Sequence, residues 1–201
     1  MDDRQTTPYQ CSGNTFVSGT KPEQVSSKIE MPVPATYTQA NFTGACTVTQ
    51  VGEFDMGSHY TIWVNPSANP KVLKPGVYCA TGSSGKIKIG DSNVVGTGVT
   101  LVASNYIELS GSNINLTPPT TGFTAGVLMV SWGNSADAIK HNGSNIQWSG
   151  LVFAPNGRAD IGGSSGLTIL GSIIANTVSL GGSNIKLTGT VGDKNVSQLV
   201  E

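Results

Sequence analysis

The sequence predicts an all-β protein, a right-handed parallel β-helix (β-solenoid) with coils of roughly 18–21 residues and one inserted loop. Three observations predict this fold: a short phrase returns along the chain, its corners recur at similar spacing, and glycine is abundant while charge is scarce. A recurring unit of about twenty residues with no helical periodicity inside it is typical of a solenoid built from strands.

The returning phrase is clearest between residues 140 and 189. Each copy has a corner rich in Gly, Ser and Asn, then an apolar-polar-apolar triplet, then a second apolar run. The triplets at residues 146–148, 167–169 and 185–187 alternate as the residues of a half-buried strand do. Glycine and asparagine at the corners permit a positive φ, so the chain can turn sharply between strands.

The corners set the length of a coil. Steps of 20, 32, 21 and 18 residues separate the equivalent corners Asn93, Asn113, Asn145, Gly166 and Asn184. The long step contains residues 117–126, rich in Pro, Thr and Gly, which we interpret as a loop pushed out of one coil. Because a single coil cannot cover its own apolar side, the coils must stack into parallel sheets, and the crossover rule makes the winding right-handed.

Stacking places equivalent positions above one another. Asn113, Asn145 and Asn184 are therefore expected to form a corner ladder, in which side-chain amides hydrogen-bond to each other and to the corner backbone. The predicted outward row is Glu108, Lys140, Asp160 and Ser179, and the predicted inward row is Leu109, His141, Ile161 and Leu180. His141 interrupts an apolar row; a buried, hydrogen-bonded histidine and one turned outward by a bulge are both compatible with this position.

The composition excludes several classes of protein. Only 11% of the 201 residues are charged, 26 are glycine and the net charge is −1, which suits short strands and tight corners rather than long helices. The scattered Lys and Arg residues do not form the basic patch that nucleic acid requires. No run of eighteen apolar residues is present, so no membrane insertion is expected in this fragment. The acidic start has no signal-peptide pattern, and we expect the chain to be a fragment of a longer protein.

We expect three segments, an irregular N-terminal wrapping or linker segment, the β-solenoid and a C-terminal cap or tail: residues 1–35, 36–189 and 190–201. The tail is expected to cover the last coil, since an open solenoid end exposes unpaired strand edges. Within the solenoid, residues 42–51 are predicted to be the first full strand and residues 65–75 a loop. Residues 127–131 are predicted to be a strand buried on both faces.

The three cysteines, Cys11, Cys46 and Cys79, indicate a disulfide rather than a metal site. None has the spacing of a zinc motif and the Gly-Gly-x-Gly-x-Asp calcium repeat is absent from the sequence, so we predict no metal and no cofactor. A Cys46–Cys79 bridge would tie the first coil to the body and, by closing a loop of about thirty residues, would stabilise the fold by roughly 3–4 kcal/mol. Three buried free thiols are the alternative.

Several short phrases resemble the C-terminal region of TadG-like proteins, which are envelope proteins associated with bacterial Tad (Flp) pilus assembly. The phrases are Pro-Gly-Val-Tyr-Cys at 75–79, Val-Gly-Thr-Gly-Val-Thr at 95–100, Gly-Val-Leu at 126–128, Gly-Leu-Val-Phe-Ala-Pro-Asn at 150–156 and Gly-Ser-Ile-Ile-Ala at 171–175. The resemblance covers roughly residues 31–189. It implies a secreted or cell-surface domain of the bacterial envelope without known catalysis. In that family the cysteine of the first phrase commonly has an upstream partner, which here matches Cys46.

The repeat and the low charge predict a non-enzymatic extracellular or cell-surface module. It would serve as a structural scaffold, a pilus-associated or adhesin-like domain, or a subunit that assembles end to end, and its partners would be other envelope or pilus proteins or further copies of itself. The alternative is glycan binding, because sugars stack on aromatic rings near irregular segments. The candidate ligand-binding residues are Trp132, Trp63 and Tyr60, with Trp132 the best single candidate.

Two further alternatives follow from the fold class. Ice-binding solenoids carry similar phrases, but they need a regular face of small hydroxyl groups, and the outward middle positions here are Asn115, Gln147, Thr168 and Lys186. A polysaccharide-active enzyme needs two facing carboxylates, and only Glu108 and Asp160 share an outward row, about 9–10 Å apart across two coils. We therefore predict no catalytic residues.

Overall fold

The structure, a computed structural model, describes residues 10–11, 14–15, 34–163 and 166–188. Residues 35–190 form one compact unit, and residues 1–34 with 191–201 form another. In the latter, two short strands pair antiparallel with each other: β1 (Gln10–Cys11) and β2 (Asn14–Thr15). The rest of the predicted wrapping segment before residue 34 lies outside the described residues, as does the predicted tail.

The larger unit consists almost entirely of strands. In chain order its elements are α1 (Gln39–Gly44), β3 (Val48–Asp55), the 3-10 helices Met56–Ser58 and Tyr60–Ile62, β4 (Lys71–Leu73), β5 (Gly76–Ile89), β6 (Val94–Thr97), β7 (Val99–Ala103), β8 (Tyr106–Leu109), β9 (Ile114–Thr117), β10 (Val127–Ser131), β11 (Ile139–His141), β12 (Ile146–Ile161), β13 (Leu167–Leu180) and β14 (Ile185–Thr188). The named strands of this unit pair in parallel throughout its described part. The predicted parallel β-solenoid is therefore confirmed.

The strands stack on three faces, each six levels high in the described part of the chain. The face that we call the covered face stacks residues 48–51, 76–80, 99–103, 127–131, 150–154 and 171–175. The charged face stacks residues 53–55, 86–89, 106–109, 139–141, 158–161 and 177–180. The third face stacks residues 71–73, 94–97, 114–117, 146–149, 167–170 and 185–188. Strands β3, β5, β12 and β13 turn from one face to the next without ending, so the faces share continuous chain.

Left-handed residues mark the entry to the third face. From the second level to the sixth they are Asn93 (φ 59°), Asn113 (56°), Asn145 (51°), Gly166 (68°) and Asn184 (59°). These are the corners whose equivalence the spacing predicts. Glycine and asparagine visit this conformation routinely, whereas it costs other L-residues roughly 1–2 kcal/mol. The side-chain amide of Asn113 donates to Oδ1 of Asn93 over 2.8 Å, which forms one rung of a corner ladder.

The interior is a continuous apolar column. Trp148 is fully buried and lies in the same inward row as Leu116 and Ile169, as the repeat predicts. Burial of such rows is the main stabilising contribution, at roughly 25 cal/mol per Å² of apolar surface removed from water.

A second apolar layer lies on the outside of the covered face. Cys79, Val102, Val130 and Phe153 alternate with interior residues, so their side chains point away from the interior, yet all four are buried. The segment that covers them carries α1, whose Phe42 is fully buried among these side chains. Strand β10 is consequently buried on both faces, as predicted.

The disulfide Cys46–Cys79 fastens this outer layer to the covered face. Cys46 follows α1 by two residues, and Cys79 lies on β5. The bridge closes a sequence separation of 33 residues, for which the chain-entropy model gives about 3.7 kcal/mol of stabilisation. The predicted pairing is confirmed, and the alternative of free thiols at these two positions is excluded.

Two local predictions are wrong. Residues 42–51 were expected as one strand, but Gln39–Gly44 is helical and β3 begins at Val48. The helix places Phe42 on the apolar outside of the covered face, and Cys46, beyond the end of the helix, is joined there to Cys79. Residues 65–75 were expected as a loop, but Lys71–Leu73 pairs with β6 and forms the first level of the third face.

The chain also closes the N-terminal end of the third face. Trp63 forms an antiparallel bridge with Leu73, and the amide of Val64 donates to the carbonyl of Val72 over 2.8 Å. Met56 and Ile62 are buried beneath this segment in the interior cluster. The edge of β4 therefore has its backbone hydrogen bonds satisfied by the chain itself.

Replacing Asn113 by alanine is expected to lower the free energy of unfolding by about 2 kcal/mol, because alanine is strained at φ 56° and the rung to Asn93 is lost. The matched control is Asn113→Gly, which also loses the amide but keeps the left-handed conformation, and it is expected to cost about half as much. Urea unfolding followed by circular dichroism measures both. Equal losses in the two variants would contradict the role given to the corner conformation.

Candidate functional site

Trp63, one of the predicted ligand-binding residues, belongs to the interior. Its side chain is 2% exposed, and its indole Nε1 donates to the carbonyl of Met56 over 3.1 Å. A ring in this position has no free face on which a sugar could stack. The ligand-binding prediction is therefore corrected for Trp63, whose ring closes the N-terminal end of the solenoid.

Trp132 is a half-buried part of the outer layer. Its ring packs edge-on against Phe153, with 5.7 Å between centroids, and lies 6.3 Å from Phe42. The indole Nε1 is buried and has no hydrogen-bond partner among the described residues. This packing gives Trp132 a structural role in holding the outer layer in place. Ligand binding at Trp132, the best single candidate from the sequence, stays a prediction.

Tyr60 is the exposed member of the predicted set. Its side chain is 68% exposed in the second 3-10 helix, at the N-terminal end of the solenoid. Trp63 and Trp132 belong to separate hydrophobic clusters, so the structure does not bring the three rings together in one site. Ligand binding at Tyr60 stays a prediction.

An outward row of alternating charge runs along the charged face. From the first level to the sixth its members are Asp55, Lys88, Glu108, Lys140, Asp160 and Ser179. The sequence predicted the last four of these as one row, and the register confirms it. Opposite charges on neighbouring strands contribute at most about 1 kcal/mol per pair, so this row supports the stack more than it defines a site.

Ion pairs engage most charges of this face. Arg158 lies 2.6 Å from Asp137 and 3.4 Å from Asp160, and Lys86 lies 3.2 Å from Glu108. The hydrogen bond from Arg158 lowers the pKa of Asp137 below its ordinary value. Glu108 and Asp160, the only carboxylates that the sequence placed on one row for glycoside hydrolysis, therefore each face a cation.

The charged face also contains a cleft that the sequence did not predict. Its volume is about 550 Å³, and the residues that line it are Glu53, Ser84, Lys86, Asn105, Tyr106, Ser135, Ala136 and Asp137. The first, second and third levels supply Glu53, Lys86 and Tyr106, which are directly paired neighbours. Residues 132–138, between β10 and β11, form one wall. The 32-residue step between corners indicates surplus chain, which the composition predicted entirely at residues 117–126, whereas part of it lies at residues 132–138.

Tyr106 is one of the residues that line this cleft. The Lys86 ammonium group lies 5.0 Å from the centre of its ring, a cation–π contact. Burial raises the pKa of the Tyr106 hydroxyl to about 12, with further contributions from the carboxylates of Glu108, Asp137 and Asp160. The hydroxyl consequently remains protonated, and able to donate a hydrogen bond, throughout the physiological pH range.

His141 is a buried titratable group of the interior. It is 1% exposed in the inward row of Leu109 and Ile161, and its Nδ1 lies 2.5 Å from the carbonyl of Gly162. Nδ1 must donate in this contact, and Nε2 is buried with no hydrogen-bond partner among the described residues. Burial lowers the pKa of His141, so the neutral form is favoured. The sequence was compatible with a buried His141 and with one turned outward, and the structure shows the buried position.

The described residues contain no cluster of three or more His, Cys, Asp or Glu side chains arranged to hold a metal ion. Within the same residues, no helix has the length and apolar character needed to cross a membrane. Comparison with protein-family models, with curated proteins and with solved structures finds no match to this chain.

The buried His141 predicts acid-sensitive stability. Its pKa is lower in the folded protein than the value of 6.5 for a free side chain, so on acidification the unfolded chain binds the proton first. The histidine's contribution is therefore fully present above pH 6.5 and falls as the pH drops below that value toward the folded pKa. Between pH 7 and pH 5, the free energy of unfolding is expected to fall in the wild type and to fall less in His141→Leu.

The leucine variant matches the neighbouring residues of the row, Leu109 and Ile161, and provides the control. Urea midpoints measured at half-unit pH intervals give the slope for each protein. The same slope in both would show that His141 does not produce the pH dependence.

Proposed function

We propose that this chain is a non-enzymatic extracellular or cell-surface β-solenoid module that acts as a rigid structural scaffold. The observation that carries the proposal is the Cys46–Cys79 disulfide, which locks the outer layer onto the solenoid. Structural disulfides persist in oxidising compartments outside the cytosol and are rare within it. The resemblance to TadG-like envelope proteins supports the same location.

Rigidity follows from the packing. The covered face is packed on both sides, by the interior on one and by Phe42 and its neighbours on the other. Strands buried on both faces and paired in register resist local opening, because an opening must expose apolar surface and break several hydrogen bonds at once. Such a body suits a spacer or display scaffold.

The ion pairs formed by Glu108 and Asp160 support a structural role over a hydrolytic one. Glycoside hydrolysis needs two carboxylates that face the substrate across the scissile bond. Asp160 instead lies 3.4 Å from Arg158, and Glu108 lies 3.2 Å from Lys86. These contacts favour a row of charges that stabilises the stacked strands over a catalytic pair of carboxylates.

We further propose that a second copy of the chain does not extend all three faces of the solenoid at its N-terminal end. The Trp63–Leu73 bridge satisfies the edge of β4, and a satisfied edge cannot template another chain. Attachment to envelope or pilus partners would then use other surfaces. End-to-end assembly through all three faces is not part of the proposed role.

Thiol trapping in intact cells of the organism that makes the protein tests the location. Cells are quenched in acid and alkylated, and the chain is analysed by mass spectrometry. The peptides that contain Cys46 and Cys79 are expected to be joined and unalkylated.

In the purified chain, reductant is expected to lower the free energy of unfolding by about 3.7 kcal/mol, because the disulfide spans a 33-residue separation. Light scattering at rising concentration is expected to show a monomer.

Recovery of both cysteines as alkylated thiols from intact cells would contradict an extracytoplasmic module. Turnover of a glycan that Asp160→Asn abolishes would contradict the non-enzymatic role.

A further inference from the structure

We propose that the cleft on the charged face binds a neutral, hydroxyl-rich oligosaccharide, with Glu53 and Tyr106 as its principal ligand-contacting residues. This inference goes beyond the scaffold role, and it places carbohydrate binding at residues other than the three aromatic residues that the sequence suggested.

The cleft exists because the chain departs from the repeat. Between the covered and charged faces, the third level turns with two residues, Ser104 and Asn105, whereas the fourth level uses the seven residues 132–138. The additional residues stand beside the row of Glu53, Lys86 and Tyr106 and form the wall of the cleft. A turn between two faces of the solenoid does not require these additional residues, since two residues suffice at the third level.

The wall is held in place by its neighbours. A Cβ atom at Gly133 would lie 1.9 Å from the carbonyl oxygen of Asn105, so the loop contacts the preceding level at backbone distance. On the following level, the side chain of Asn156 donates to the carbonyl of Trp132 over 3.2 Å, and Arg158 holds Asp137 at 2.6 Å. The cleft is therefore pre-formed, which reduces the entropy lost on binding.

The length of the cleft suits an extended ligand. Its lining residues come from four consecutive levels, and strands in a sheet lie about 4.8 Å apart, so the cleft runs about 14 Å along the solenoid axis. Its volume of about 550 Å³ is in the range of small-molecule sites. An oligosaccharide fits this elongated shape better than a compact metabolite does.

The polar groups of the cleft match hydroxyl groups. Ser84, Ser135 and the Asn105 side chain each donate and accept hydrogen bonds, and the Glu53 carboxylate accepts at two oxygens. Within the described residues, the Glu53 carboxylate has no ion pair or hydrogen-bond partner. It can therefore accept from two adjacent sugar hydroxyls, while the Tyr106 hydroxyl donates because its pKa is about 12.

The charges favour a neutral ligand. Lys86 is paired with Glu108 at 3.2 Å and lies over the Tyr106 ring, and Asp137 is paired with Arg158. An anionic ligand would meet the free carboxylate of Glu53. A strongly cationic ligand would compete with Lys86 and Arg158 for the same acids.

The test uses the intact chain and three neutral probes, the tetrasaccharides of N-acetylglucosamine, glucose and mannose. Saturation-transfer NMR detects binding, and calorimetric titration gives Kd. The cleft variants are Tyr106→Ala and the isosteric Glu53→Gln. The control is Lys88→Gln, an outward charge on the same strand as Lys86. Tyr60→Ala tests the alternative site, the exposed tyrosine outside the cleft. Urea midpoints establish that each variant is folded.

We expect at least one probe to bind, both cleft variants to raise its Kd at least tenfold, and the Lys88→Gln control to leave it within twofold. Absence of binding by all three probes at millimolar concentration would overturn the proposal. Loss of binding in Tyr60→Ala with retention in both cleft variants would also overturn it. Neither result affects the thiol-trapping test, so failure of this inference and failure of the scaffold role are distinguishable.

Discussion

The constraint on which the whole structure depends is that hydrogen bonding between parallel strands holds each residue directly over its equivalent in the next level. Such stacking requires every coil to return to the same place, and the left-handed residues Asn93, Asn113, Asn145, Gly166 and Asn184 provide that return at the entry to the third face. Coils of 18 to 32 residues are compatible with it because surplus chain leaves the stack between strands and does not shift their register. The apolar interior and the row of alternating charge are both consequences of this register.

The faces differ because each row repeats its own chemistry. Outward apolar residues such as Val102 and Val130 create a surface that requires a cover, and the segment with α1 and the disulfide provides it. Outward charges on the next face pair with one another, as Lys86 does with Glu108. Where the chain departs from the repeat, at residues 132–138, a cleft forms. The regular part of the molecule thus forms the stacked sheets, and the irregular part forms the cleft for which we propose a binding role.

Much of the stack could be predicted from the sequence, because the corners and triplets are local patterns with a period. The inward position of Trp148 and the row from Glu108 to Ser179 follow from counting alone. The outer layer could not be predicted in this way, since burial of Trp132 depends on where α1 packs. For the same reason Trp63 looked like a loop aromatic although it closes the N-terminal end. The cleft combines residues from four levels, and its wall is a seven-residue turn where the third level has two residues.

Cysteine cross-linking tests the register most directly. Asn115 and Gln147 are exposed neighbours in adjacent levels of the third face, whereas Ser149 lies two residues further along the same strand. In a Cys11→Ser background, the pair Asn115→Cys with Gln147→Cys is expected to oxidise to a disulfide, because paired positions lie about 4.8 Å apart. The offset pair Asn115→Cys with Ser149→Cys, separated by about 8 Å, is expected to remain reduced under the same mild oxidant. Oxidation of the offset pair in preference to the paired positions would contradict the stacking of like over like.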